Sequence, residues 1–264
     1  MNKSKTEKIN LYSATLGKEM QISVYLPEGY DRQASLPVLY FLHGRSGDEN
    51  IMVEAGISAC AEEMISAEKI KPLIIACPKI ENSRGLNSSL ICKEVSDPVI
   101  PNRIINIGMY EDYFLKEVVP FVDKTFHTVN DRTGRFIGGA SAGGYAALHT
   151  AFRHQQLFSK VGGHMPALEL SLEDEDKPYF KEEGTWEKYD PIHIVKNGTI
   201  STGIEVYLDA GDKDEGRFYE GCSVLYKTLQ EKGINVQNHI FSGNHSVGYI
   251  RSNIEKYLEF YGRK

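Results

Sequence analysis

The sequence predicts an α/β protein: a mostly parallel central sheet of about eight strands, flanked by helices and carrying a small inserted cap. Three observations carry that expectation. Residues 36–42 (Leu-Pro-Val-Leu-Tyr-Phe-Leu) and 73–77 (Leu-Ile-Ile-Ala-Cys) are uninterrupted apolar runs, the pattern of strands buried on both faces of a parallel sheet. The stretch between them places Ile51, Met52, Ala55, Ala59, Met64 and Ile65 at helical spacing, which completes a β-α-β unit. A run of small residues, 138–144, joins a strand-like segment to a helix-like one. At 264 residues, with 41% hydrophobic and 25% charged side chains, the chain suits one large domain, 1–264.

Taken in order, residues 8–13 and 20–26 alternate apolar and polar side chains and read as an opening antiparallel pair of half-buried strands. The two buried strands and their helix follow. Residues 79–107 are polar, rich in Asn and Ser, and read as a long surface excursion, a length that compact domains keep when it has a use. Residues 110–126 have the spacing of an amphipathic helix kinked at Pro120. A strand at 135–139 and a helix from 145 bracket the small-residue run. Further strands are expected at 158–163, 204–209 and 235–241, with helices across 217–232 and 247–261. Residues 165–202 form a cap-like insertion that holds the single Trp186 and the acidic run Glu173, Asp174, Glu175 and Asp176, which reads as a solvated face.

A net charge of −6 with no Lys/Arg cluster speaks against nucleic acid and anionic membranes as partners. No apolar run reaches the length of a membrane span. The four cysteines, Cys60, Cys77, Cys92 and Cys222, lack metal-ligand spacing and are too few for a disulfide framework, and no apolar leader is visible. The expected setting is therefore the cytoplasm, and the expected partner a small molecule.

Gly139-Ala140-Ser141-Ala142-Gly143 carries the chemistry. A serine on a sharp strand-to-helix turn, with flanking residues too small to block a close backbone crossing, is a nucleophile elbow. A serine hydroxyl is a weak nucleophile at neutral pH and needs a base, with a third group to orient that base. His245, in the turn after strand 235–241, is the base that follows the acid in chain order. His239, His149, His154, His127 and His193 fall within strands, helices or surface segments, and His164 ends a strand and is a candidate pocket residue. For the acid, Asp214 in the turn after strand 204–209 is better placed than Asp212, with Glu215 an alternative. Two backbone N–H groups must meet a developing oxyanion: Ala142, at a helix N-terminus, and Arg45, in the loop after strand 36–42 that also holds His43 and Gly44.

These residues carry a family resemblance. Leu42-His43-Gly44 followed by Gly47-Asp48-Glu49-Asn50, then Tyr110-Glu111-Asp112-Tyr113 leading to Glu117-Val-Val-Pro-Phe, then Gly139-Ala-Ser-Ala-Gly-Gly, resemble the esterase D-like branch of the α/β-hydrolases over nearly the whole chain. That branch includes S-formylglutathione hydrolases, feruloyl and acetylxylan esterases, short-chain carboxylesterases and mycolyltransferases. The resemblance implies an α/β-hydrolase fold with Ser141 as nucleophile, Asp214 as acid, His245 as base and Arg45 and Ala142 as oxyanion donors, with no metal or organic cofactor. Ala142 stands where the family often has Met or Leu, leaving room beside the acyl group. Cysteines near the His-Gly loop and a Ser-Met-Gly-Gly elbow, usual in S-formylglutathione hydrolases, are absent. The expectation is a serine carboxylesterase for small short-chain acyl or aryl esters. Feruloyl/acetylxylan-type esterases come next, then a thioesterase, a peptidase or an acyltransferase, and a non-catalytic binding module is the alternative of a different class.

Overall fold

A computed structural model describes residues 3–30 and 35–263. Its strands are β1 (Lys5–Ser13), β2 (Lys18–Leu26), β3 (Val38–Leu42), β4 (Ile74–Pro78), β5 (Lys93–Ser96), β6 (Ile104–Ile107), β7 (Arg135–Ala140), β8 (Lys160–His164), β9 (Glu205–Gly211) and β10 (Asn235–Phe241). The helices are α1 (Ile51–Glu54), α2 (Ile57–Ser66), α3 (Tyr110–Tyr113), α4 (Val119–Thr125), α5 (Ala142–Arg153), α6 (Lys177–Phe180), α7 (Glu183–Tyr189), α8 (Pro191–Asn197), α9 (Phe218–Glu231) and α10 (Val247–Gly262).

Eight strands form one sheet in the order β1-β2-β4-β3-β7-β8-β9-β10, and β5 pairs with β6 in a separate hairpin. β2 is antiparallel to both of its neighbours, and every other pairing in the large sheet is parallel. The continuous apolar strands earn their pattern by facing two cores. Val38, Tyr40 and Leu42 pack with Tyr113, Phe114, Leu148, Phe152 and Trp186, whereas Leu39 and Phe41 pack with Met52, Ile57, Ala61, Tyr257 and Leu258 on the opposite face.

Register places the site. Leu42 pairs with Gly139, Ala140 with His164, His164 with Asp209, and Gly211 with Phe241, so the carboxyl ends of β3, β7, β8, β9 and β10 lie along one edge. The chain order reverses between β3 and β7, and that is where a crevice opens in such sheets.

Several elements depart from the sequence expectation. The helix expected between the first buried strands is two helices, broken at Gly56, which adopts φ +70°. The irregularity expected at Pro120 takes the form of a π-helical turn, Phe114–Val118, just before it: helical backbone runs on from α3 through this turn into α4, where Pro120 is the second residue. The excursion 79–107 is only partly a surface feature. Ile80, Ser83, Arg84, Leu86, Asp97 and Asn106 are buried, and its second half is the β5–β6 hairpin. The acidic run is a solvated face only in its first half: Glu173 and Asp174 are exposed, whereas Asp176 is 1% exposed and ion-paired with two arginines. Charge runs are solvated unless cations from elsewhere reach them, and here the cations come from positions about 90 and 130 residues earlier in the chain.

Candidate active site

Ser141 stands between β7 and α5 at φ 55° and ψ −119°, a conformation L-residues adopt only under constraint. The constraint is the crossing of two backbones. A Cβ on Gly143 would lie 2.2 Å from the Leu42 carbonyl oxygen and 2.4 Å from that of His43, and one on Gly139 would lie 2.6 Å from the Leu42 oxygen. The elbow also donates its own Ser141 N–H to the His164 carbonyl at 3.0 Å, pinning it to the end of β8.

Two loops, at the ends of β9 and β10, meet the serine. His245 Nε2 lies 2.8 Å from Ser141 Oγ, and His245 Nδ1 lies 2.8 Å from Asp214 Oδ2. Asp214 is buried, and its other carboxylate oxygen accepts the Gly216 N–H at 2.9 Å. The competing acids are engaged differently. Asp212 accepts the Gly243 N–H at 2.9 Å and Glu215 the His245 N–H at 3.2 Å, so both tie down the loop that carries the histidine. Gly211 lets the two loops touch, since a Cβ there would lie 2.2 Å from the Gly243 oxygen. Phe218, at the start of α9, packs edge-on to the His245 ring at 5.1 Å.

A cavity of about 600 Å³ opens on Ser141 and His245, within the range of small-molecule sites. His43, Gly44, Arg45 and Ala142 all line it. Gly44 runs so close to the serine that a Cβ would lie 3.2 Å from Ser141 Cβ. His43 is buried, its Nδ1 donating to the Gly44 carbonyl at 2.8 Å and its Nε2 accepting the Ile80 N–H at 2.9 Å. Burial pushes its pKa down, which suits this neutral tautomer.

His164, expected as a pocket residue, does not reach the cavity. It is fully buried beneath the floor, its Nδ1 donating to Asp209 at 3.0 Å and its Nε2 accepting from the Tyr261 hydroxyl at 3.1 Å. The ring is stacked on Tyr257 at 3.7 Å, so a strand-end histidine here serves the core.

Part of the cavity lining is apolar, with Ile51, Met165, Phe218, Val247 and Ile250; another part is charged, with Arg45, Arg84, Arg103, Glu169 and Glu175. Apart from Arg45, named for its backbone N–H, the charged lining leaves no trace in the sequence, because its members are scattered over three loops and share no local pattern. Arg84 is fully buried and reaches both Glu169 Oε1 at 2.6 Å and Asp176 Oδ2 at 2.8 Å. Burial pushes Glu169 up to about 7, against the pull of Arg84. Among the described residues, no group of three or more His, Cys, Asp or Glu side chains is arranged to hold a metal ion.

The pattern of the Esterase family matches residues 13–261, so its match spans the elbow, both neighbouring loops and most of the sheet. The chain belongs to the Esterase family. Among curated relatives, this esterase is 25% identical over 239 residues to an endo-1,4-beta-xylanase/feruloyl esterase of Xylanibacter ruminicola, covering 86% of this chain but only 30% of that protein. It is 26% identical over 241 residues to an S-formylglutathione hydrolase of Arabidopsis thaliana, covering 83% of this chain and 81% of that one. A solved ferulic acid esterase superposes with a TM-score of 0.81 at 21% identity, covering 99% of this chain and 98% of the other. Together with the sheet order, that likeness establishes the α/β-hydrolase fold. Among the described residues, no helix of the esterase is long and apolar enough to cross a membrane.

Proposed function

We propose that this esterase is a serine carboxylesterase acting on small carboxylic esters. The observation that carries the reading is the pair of 2.8 Å contacts linking Ser141 Oγ to His245 Nε2 and His245 Nδ1 to Asp214. In this mechanism His245 takes the Ser141 proton as Oγ attacks the ester carbonyl. Asp214 holds the ring and stabilises its cation, and the Arg45 and Ala142 N–H groups receive the oxyanion. His245 returns the proton to the departing alcohol, and water repeats the sequence on the acyl-enzyme. The apolar part of the lining, with the small Ala142 beside the nucleophile, supports a short-chain or aryl acyl group. The charged part supports a second reading, a feruloyl- or acetylxylan-type ester whose hydroxylated portion bonds to Arg103 or Glu175. The whole chain then works as one catalytic domain. The free thiols of Cys60, Cys77, Cys92 and Cys222 support a cytoplasmic setting as part of the same proposal.

A fluorophosphonate probe tests the assignment. It should label Ser141 in the native chain and fail on Ser141→Ala, whose turnover of aryl esters should fall by roughly 10⁴- to 10⁶-fold. Labelling elsewhere, or near-native turnover in the variant, would sink the mechanism, and a native chain that fails to label would favour the binding module. Aryl esters from acetyl to octanoyl, with methyl ferulate and S-formylglutathione beside them, then separate the substrate readings.

A further inference from the structure

The loop expected to bind the oxyanion is held from outside by the two insertions. Ser46 N–H donates to the Asn82 side chain at 2.6 Å, and the Ile80 N–H fixes the His43 ring, so residues 79–107 grip the loop on both sides of Arg45. Arg45 itself is held by the cap: its guanidinium meets Glu175 at 2.7 Å and Asp176 at 3.0 Å. Asp176 uses its second oxygen to pair with Arg84 at 2.8 Å, and the Arg84 guanidinium lies 4.7 Å from the ring centre of Tyr145, one turn along α5 from the serine. Asp176 is 1% exposed and is not among the residues lining the cavity, so it touches no substrate.

We infer that Asp176 is a positioning residue, whose bridge between Arg45 and Arg84 fixes the backbone of the oxyanion loop relative to the nucleophile helix. The physical reason is geometric. Oxyanion stabilisation depends on N–H groups already aimed at the place where charge develops, and losing one such donor outright costs about 10²- to 10³-fold in kcat. Arg45 lies in a short loop between β3 and α1, followed by Ser46 at φ 63°, and a side chain clamped at its far end limits rotation of the peptide that carries its N–H. Burial pushes the Asp176 carboxyl up, and the charges of Arg84 and Arg45 oppose that rise without cancelling it.

The inference rests on the esterase reading, and the two fail separately: an inactive, unlabelled native chain defeats the reading, whereas the variants below bear only on the bridge. Asp176→Asn, Arg45→Gln and the double variant are assayed for kcat and KM on an aryl ester and for binding of a trifluoromethyl ketone that forms an oxyanion adduct. Each single variant should lose about tenfold in kcat, with KM within about twofold, and ketone affinity should fall in proportion. The double variant should be no worse than either single one, because both break the same bridge. Asp176→Glu should recover part of the loss. A rise in KM at unchanged kcat, unchanged ketone affinity, or losses that multiply in the double variant would overturn the inference. Should Asp176→Asn fail to fold, Arg45→Gln, altered at the cavity wall, is read by the same kcat and ketone criteria.

Discussion

Ala142 lines the cavity beside Ser141, and under the proposed function it is the position expected to set acyl size. It is 5% exposed and begins α5, so a longer side chain there is expected to take cavity volume from an acyl group. Ala142→Met should therefore lower kcat/KM for octanoyl esters relative to acetyl esters by roughly 10- to 100-fold, the worth of one or two methylenes of lost pocket. An unchanged ratio across the acyl series would place the acyl group elsewhere. Glycine works at the same scale in the opposite sense. Gly139 and Gly143 were readable as elbow residues from their spacing, and the structure supplies the cause in carbonyl oxygens that leave no volume for a Cβ. Asp214 and Asp212 were harder to separate, because both lie in one polar turn. Only the folded loop shows that one carboxylate reaches His245 Nδ1 while the other accepts the Gly243 N–H.

At the scale of elements, strands and long helices were legible because burial on both faces, or on one, leaves a periodic trace in the chain. The short, irregular elements were not. The π-helical turn at Phe114–Val118 has no such trace, and its neighbour α3 adds charged contacts to the burial of Tyr110 and Tyr113. Glu111 in α3 meets His154 at 2.9 Å, His149 at 3.3 Å and Arg153 at 3.4 Å, joining α3 to the end of the nucleophile helix. Burial alone would raise the Glu111 carboxyl. The His149 and His154 rings beside it and the charge of Arg153 outweigh it and hold the group well below the usual range. A depressed carboxyl contributes stability above its unfolded-state pKa of about 4.3, and the contribution is lost as pH falls through the folded-state value. Glu111→Gln should thus lower Tm at pH 7 by roughly 5 °C, with the gap to the native chain narrowing steadily below about pH 4. A gap that stays constant from pH 7 to pH 3 would show that the pairs contribute no charge-dependent stability.

Across the whole molecule, the sheet and α10 share one buried polar centre beneath the site. Asp209, at 0% exposure, accepts from Tyr249 and Tyr257 at 2.7 Å each and from His164 at 3.0 Å. The bond from Tyr261 to His164 extends the chain, and Tyr261 lies over Gly138 and Gly162, where any Cβ would fall 2.0 Å from its hydroxyl. Asp209→Asn keeps the shape but turns an acceptor into a partial donor facing three donors. It should cost about 3 kcal/mol, lowering Tm by roughly 6 to 12 °C by thermal melt. A shift under about 2 °C would mean that the centre tolerates a neutral side chain and that packing alone holds α10 in place.

The sequence by itself determined the sheet-and-helix alternation, the elbow around Ser141, and the order in which a carboxylate turn and a histidine turn follow it, because each is written in residues adjacent in the chain. The tertiary structure decided everything that depends on residues far apart. It buried His164 beneath the cavity floor instead of in its wall, and it folded the acidic run at Asp176 inward against Arg45 and Arg84. The physical reason is the same in both cases. A charged or polar side chain shows its type in the sequence, but whether it meets water or a partner depends on which distant segment is packed beside it.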